Sequence, residues 1–248
     1  MKKSLLSLLG LGLITFTFGL QSCNDDNDWN NSRMFPSALV TVKPNVDNSS
    51  FYLQLDDITT LAPTNMTTSP FGTKEVRALV NYTEVEKQTN TAHSRAVKIN
   101  WIDSILTKPT ATSFGKNLNI EKYGNDPVEI INDWVTIAED GYLTLRFRTC
   151  WRYGVKHYVN LVITPDETNA YNVTFYHNAK GDKDGRVGDA LVAFNLSDLP
   201  DTQGKTVNLK LNWMSFSGEK SATFKYCTRK STNTKNSITE GSFVNSVQ

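Results

Sequence analysis

Five groups of residues in this 248-residue chain have the types and spacing for chemistry. The first is a thiol near the start, in Leu20-Gln21-Ser22-Cys23. The second is the loop Gly181-Asp182-Lys183-Asp184-Gly185-Arg186-Val187-Gly188-Asp189. Its three aspartates offer the hard oxygen ligands that calcium takes. The loop lacks the Asx at the fifth position and the terminal glutamate of an EF-hand, so turn chemistry is the expected use of its Asp and Gly. The third is His93, His157 and His177 with Cys150 and Cys227. A two-cysteine zinc site needs histidines at ligand spacing, which these are not, so no metal is expected. His157 and His177 share parity with apolar neighbours and read as partly buried structural histidines. The fourth is a row on one strand face, Arg146, Arg148 and Arg152, which is either an anion-binding stripe or, as expected here, a solvated sheet face. The fifth is Asp56-Asp57. Adjacent strand residues point to opposite faces, so this pair is a strand stop and not a catalytic dyad. There is no Gly-x-Ser-x-Gly, no Gly-rich phosphate loop and no His-Glu-x-x-His. The expectation is a non-enzyme with no catalytic residue and no cofactor.

Cys23 has the clearest chemistry. Lys2 and Lys3 give a positive start, Leu5 to Leu20 an apolar run, and Ser22 a small residue before the cysteine, as in a signal peptide. The run is shorter than the roughly 20 residues of a spanning helix. Leu-x-Ser-Cys resembles the bacterial lipobox, which implies that Cys23 is diacylated and becomes the first residue of the mature protein. Each buried CH₂ then contributes about 0.8 kcal/mol to anchoring. Asp25, Asp26 and Asp28 among asparagines resemble the export signal of surface lipoproteins of the Bacteroidota. That implies an outer-membrane anchor facing the cell exterior, the alternative being the periplasmic face.

Removing Lys2 and Lys3 with the leader takes the formal charge from +1 to −1, which gives no electrostatic case for nucleic acid. Cys150 and Cys227 would live in an oxidising compartment, where a disulfide is permitted. Strand alternation puts both on outer faces, so a bridge requires neighbouring strands or a common edge.

The elements that must position these groups are strands. After a polar tether (23–34), residues 35–110 offer four or five: Ser37–Lys43, Phe51–Asp56, Lys74–Glu86 and Arg95–Ile105, with a Thr/Pro-rich loop at 57–70. That count suits a small closed barrel such as an OB-fold. Residues 111–128 break the composition and read as a linker. Residues 129–230 give seven strands. Asp140-Gly141 joins two of them as a hairpin turn, and the set has a β-sandwich pattern. In one strand Leu143, Leu145, Phe147 and Trp151 should face inward, and in the last strand Phe224 and Tyr226. Residues 231–248 form a polar tail. The fold class is therefore all-β, an OB-like barrel followed by an immunoglobulin-like sandwich.

This order of features resembles the NigD-like lipoproteins of the Bacteroidota. Leu53-Gln-Leu-Asp-Asp57, Leu61-Ala-Pro63 and Arg77-Ala-Leu-Val-Asn-Tyr82 carry the resemblance in the first domain. Asp140-Gly-Tyr-Leu-Thr-Leu-Arg-Phe147, Lys156-His-Tyr-Val-Asn-Leu-Val162, Phe194-Asn-Leu-Ser-Asp-Leu-Pro200 and Leu211-Asn-Trp213 carry it in the second. The resemblance implies an OB-type domain before a sandwich, no catalytic motif, and a suggested role in bacteriocin immunity. The expected function is a membrane-anchored binding protein for an unknown protein or glycan ligand. The alternatives are a structural envelope component or adhesin and, behind these, an unrecognised hydrolase.

Overall fold

Residues 34–86, 93–152 and 154–229 are described by the structure, a computed structural model. The leader, Cys23, the tether up to residue 33 and the polar tail from 231 lie outside the described residues.

The first lobe is built by alternation. Strands β1 (Ala38–Pro44), β2 (Phe51–Gln54), β3 (Thr60–Pro63), β4 (Val76–Val85) and β5 (Arg95–Ser104) close into a barrel in the order β1-β2-β3-β5-β4. Val40, Val42, Leu53, Leu61, Ala78, Val80, Val97 and Ile99 fill its interior. β3 lies within the stretch expected as a loop. Its Leu61 is fully buried and pairs with Leu53 of β2 on one side and Arg95 of β5 on the other, which closes the barrel. The carboxylate of Asp56 accepts hydrogen bonds from the amides of Ile58 (2.9 Å) and Thr59 (2.7 Å), so it shapes the turn into β3.

The second lobe is a sandwich. One sheet has the order β6-β12-β9-β7, with β8 also paired to β9; the other has the order β10-β11-β13-β14. The first comprises β6 (Leu106–Pro109), β7 (Glu129–Ile130), β8 (Ile137–Glu139), β9 (Tyr142–Trp151) and β12 (Arg186–Asn195). The second comprises β10 (Tyr158–Ile163), β11 (Asn172–Asn178), β13 (Val207–Ser215) and β14 (Gly218–Tyr226). Leu143, Leu145, Phe147, Phe175, Phe194, Leu211 and Tyr226 share its core, with Trp151 and Phe224 packed against them. The inward faces are those that alternation requires. Asp140 and Gly141 both have positive φ, 48° and 76°, as a two-residue hairpin turn needs. An all-β barrel followed by a sandwich is thus the observed fold. The β6–β12 and β11–β13 pairs are parallel, which departs from the antiparallel pairing of an immunoglobulin domain.

Two segments depart from the expected division. β6 runs on from the last barrel strand yet pairs with β12 of the sandwich. The stretch expected as a linker contains a helix, α1 (Lys116–Tyr123), and ends in Val128, which is buried in the sandwich core.

Barrel and sandwich fall in one compact unit. The outer face of β1 and β4 packs on the outer face of the five-stranded sheet, with Leu39, Leu79, Val135, Ile137, Leu191 and Ala193 in contact around Ile105.

Candidate functional site

The sequence candidates are resolved by strand register. In the β9–β12 pair Asp189 stands opposite Arg148. Its carboxylate accepts from Arg148 Nε at 2.5 Å and from Arg146 Nε at 2.8 Å, and Arg146 also donates to Asp133 at 2.9 Å. The hydrogen bonds from Arg148 and Arg146 hold Asp189 down at about 2, against the opposing effect of burial. Arg152 reaches Asp184 at 3.5 Å. The arginine row and the acidic loop therefore neutralise one another, leaving neither a free anion stripe nor a free set of calcium ligands.

Cys150 and Cys227 are free thiols. Cys150 is on β9 and Cys227 follows β14, so they belong to strands of different sheets, and the neighbouring strands that a bridge requires are not present. Cys227 instead takes a weak hydrogen bond from Thr202 Oγ1 at 3.6 Å.

Two of the three histidines meet. His157 Nδ1 lies 2.9 Å from His177 Nε2, His157 Nε2 lies 3.2 Å from Asp182 Oδ2, and His177 Nδ1 lies 3.2 Å from the carbonyl of Asp126. Trp151 stacks on His157 with ring centroids 4.2 Å apart. The side chains of His157 and Asp182 are 2% and 0% exposed, and His177 is 2% exposed. His93 is elsewhere, stacked on Tyr52 of the barrel.

This wire has an acceptor at each end, a carbonyl and a carboxylate. Two neutral imidazoles carry two N–H groups, and a third hydrogen bond along the wire would need a further proton. Burial acts to raise Asp182, but the Arg152 amide and His157 outweigh it and leave its pKa below the ordinary value. Desolvation, then the His157 charge, push His177 down to about 4. The His157–Asp182 contact ties the β11–β12 loop to the segment before β10. Among the described residues no three His, Cys, Asp or Glu side chains are placed to hold a metal ion.

A second buried network joins the lobes. Arg77 and Thr41 face each other across β1 and β4 on the barrel's outer side. Arg77 Nη1 donates to Thr41 Oγ1 (3.0 Å), Nε to Thr144 Oγ1 (3.3 Å) and Nη2 to Glu139 Oε2 (3.2 Å). Burial lowers Arg77 and raises Glu139, and their mutual pairing offsets this only in part. Beside it Asp140 Oδ1 takes Lys43 Nζ and Arg229 Nε, both at 2.9 Å.

The site that sequence reading missed lies on the outer face of the four-stranded sheet. There α1 and the rim of β13–β14 enclose a cleft of about 680 Å³, inside the range of small-ligand sites. Alternation sends Val173, Phe175 and His177 of β11 inward and turns Asn172, Thr174 and Tyr176 toward the cleft. Asn212 of β13 stands opposite Thr174 and next to Ser221 of β14. Tyr176 is 4% exposed, and its hydroxyl has no hydrogen-bond partner among the described residues. Asn119 of α1 is fully buried and holds the helix entry, accepting from the Phe114 amide at 2.8 Å and donating to Ser113 Oγ at 3.3 Å. Phe114, Tyr123 and Tyr176 make successive ring contacts of 6.2 and 6.1 Å that fasten α1 to the sheet.

A closed five-stranded barrel docked by a buried ion pair onto a two-sheet sandwich defines a two-domain all-β protein of the OB-plus-sandwich type. The chain belongs to the NigD-like family: residues 39–105 match the NigD-like N-terminal OB domain and residues 110–226 the NigD-like C-terminal beta sandwich domain. Among solved structures it is similar to a protein of Parabacteroides distasonis provisionally described as toxin-related. The two share 39% identity over 77% of this chain and 92% of that one, with a TM-score of 0.64. A protein of unknown function from Bacteroides vulgatus has the same fold, at 22% identity over 76% of this chain and 89% of that one, with a TM-score of 0.60. So does a NigD-like immunity protein from Bacteroides caccae, at 20% identity over 77% and 96%, with a TM-score of 0.55. A comparison with curated proteins gave no match.

Proposed function

We propose that the protein is a non-enzymatic binding protein, held at the outer membrane by acyl chains on Cys23 and facing the cell exterior, with the sandwich cleft as its contact site. The observation that supports the binding half is the cleft itself, a ligand-sized recess lined by amides and hydroxyls. The hydrogen-bonded histidines are buried with their partners, which supports a structural use for them. The lipobox-like Leu20-Gln21-Ser22-Cys23 and the acids after it support the anchor and its orientation. Family membership and the immunity role named for the Bacteroides caccae protein support a link to bacteriocin immunity, in which the tethered lobes would intercept a component at the surface.

Two experiments separate the halves. Fractionation of cells carrying Cys23→Ser should move the protein out of the membrane fraction; retention there overturns the anchor. A photo-crosslinking residue in place of Ser221, at the cleft rim, should trap an envelope component that the same residue in place of Lys98, on the barrel, does not. Equal trapping at both positions overturns the cleft as the contact site.

A further inference from the structure

We infer that the cleft takes a neutral polyhydroxylated ligand, a saccharide; this rests on the cleft being the contact site. The lining has two kinds of hydrogen-bonding group. Asn125 and Asn212 present carboxamides, and Thr174, Tyr176 and Ser221 present hydroxyls. Both kinds donate and accept, as a sugar hydroxyl does.

Charge points the same way. Lys116 is paired with Glu219 at 3.1 Å and Lys220 with Glu129 at 2.8 Å, so among the described residues the rim holds no unmatched cation for a carboxylate or phosphate. An extended peptide is a poor fit for another reason. Peptides added to sheets take backbone hydrogen bonds from an exposed edge. The cleft lies over the face of β11 and β13, whose backbones pair with neighbours on both sides.

The Tyr176 hydroxyl gives the cleft a direction. The ring is packed under Tyr123, the hydroxyl has no partner among the described residues, and its parity turns it toward the cleft with Thr174 and Asn172. The hydroxyl oxygen is open to the cleft, where a ligand hydroxyl can pair with it. Asn212 is half committed already: its Nδ2 donates to Asn172 Oδ1 (2.6 Å) and to the Val173 carbonyl (3.1 Å). That fixes the amide orientation and leaves Oδ1 as an acceptor for the ligand.

The test is isothermal titration of the purified protein with soluble neutral hexasaccharides of α-glucan, β-glucan, xylan and mannan type, beside an anionic oligogalacturonate. At least one neutral saccharide should bind. Tyr176→Phe and Asn212→Ala should each weaken it roughly tenfold, the loss expected for one hydrogen bond. Ser221→Trp, an exposed change that fills the cleft without touching the core, should abolish it at unchanged melting temperature. Binding of none of the neutral saccharides, preference for the oligogalacturonate, or indifference to Ser221→Trp would each overturn the inference. If the Ser221 photo-crosslink still forms while no saccharide binds, the contact site stands and the ligand class falls; if neither occurs, both fall.

Discussion

The guanidinium of Arg77 lies 3.2 Å from the carboxylate of Glu139, and this ion pair crosses from barrel to sandwich. Arg77 has no exposed side-chain surface and Glu139 has 18%. A charge so buried is tolerable only with its partners in place, here Glu139, Thr41 and Thr144. Arg77→Ala should therefore destabilise the protein by about 3–5 kcal/mol, because it strands Glu139 and opens a gap between the lobes. Arg77→Met combined with Glu139→Leu should recover much of that loss, since removing both charges removes the desolvation penalty. Urea unfolding measures both. A loss of under about 1 kcal/mol for Arg77→Ala, the level of an exposed pair, would mean that the lobes are not coupled through this residue.

The His157–His177 wire predicts an acid limb in stability. In the folded protein His177 titrates at about 4, against 6.5 for an ordinary histidine. Below about 6.5 the unfolded chain takes up a proton that the folded protein refuses, so stability is complete above that pH. It falls as the pH drops toward 4 and levels off below, by about 3 kcal/mol in all. His177→Gln keeps an acceptor for His157 and removes the titration. Urea midpoints across this interval should slope for the wild type and lose most of the slope in the variant. Parallel slopes would show that His177 is not the group responsible.

The sequence made the strands legible wherever two faces differ. Leu143, Leu145 and Phe147 alternate with Thr144 and Arg146, and Asp140-Gly141 marks its own turn. Leu61 could not announce β3 from among threonines and prolines, because barrel closure supplies the pairing. Lys116-Asn-Leu-Asn-Ile-Glu-Lys-Tyr123 has no helical stripe. Asn119 is its one buried residue, and Leu118 is 56% exposed, so tertiary contacts hold the helix in place. The cleft was illegible for a related reason. Asparagines and threonines read as solvent-facing or loop residues until α1 folds over them. Arg148 and Asp189 were each visible as candidates, but only the β9–β12 register shows that they pair.

That pairing can be released. Asp189→Asn leaves Arg146 and Arg148, whose side chains are 39% and 46% exposed, without their shared carboxylate. The variant should be retained more strongly than wild type on immobilised heparin, at a stability cost within about 1 kcal/mol per lost surface pair. Millimolar calcium should leave the wild-type melting temperature unchanged, since Asp189 is already held by two arginines. A calcium-dependent rise, or heparin elution identical to wild type, would show that the neutralisation is not controlling this face.

Gly124 and Gly115 end the two sides of α1 and allow strain to be told from contact. Both have φ near +85° with extended ψ, 82° and 172° for Gly124 and 88° and 154° for Gly115, a region essentially restricted to glycine. A Cβ on Gly115 would meet nothing within 4 Å, whereas one on Gly124 would lie 2.6 Å from both Asn178 Cβ and the His177 carbonyl. Gly115→Ala should therefore cost only backbone strain, about 1–3 kcal/mol. Gly124→Ala should cost that and also push α1 off β11. Hydrogen exchange would report the difference: protection across residues 116–123 should survive in Gly115→Ala and be lost in Gly124→Ala, together with the saccharide binding proposed for the cleft. Equal protection in the two variants would mean that the close approach at Gly124 does not hold the helix over the sheet.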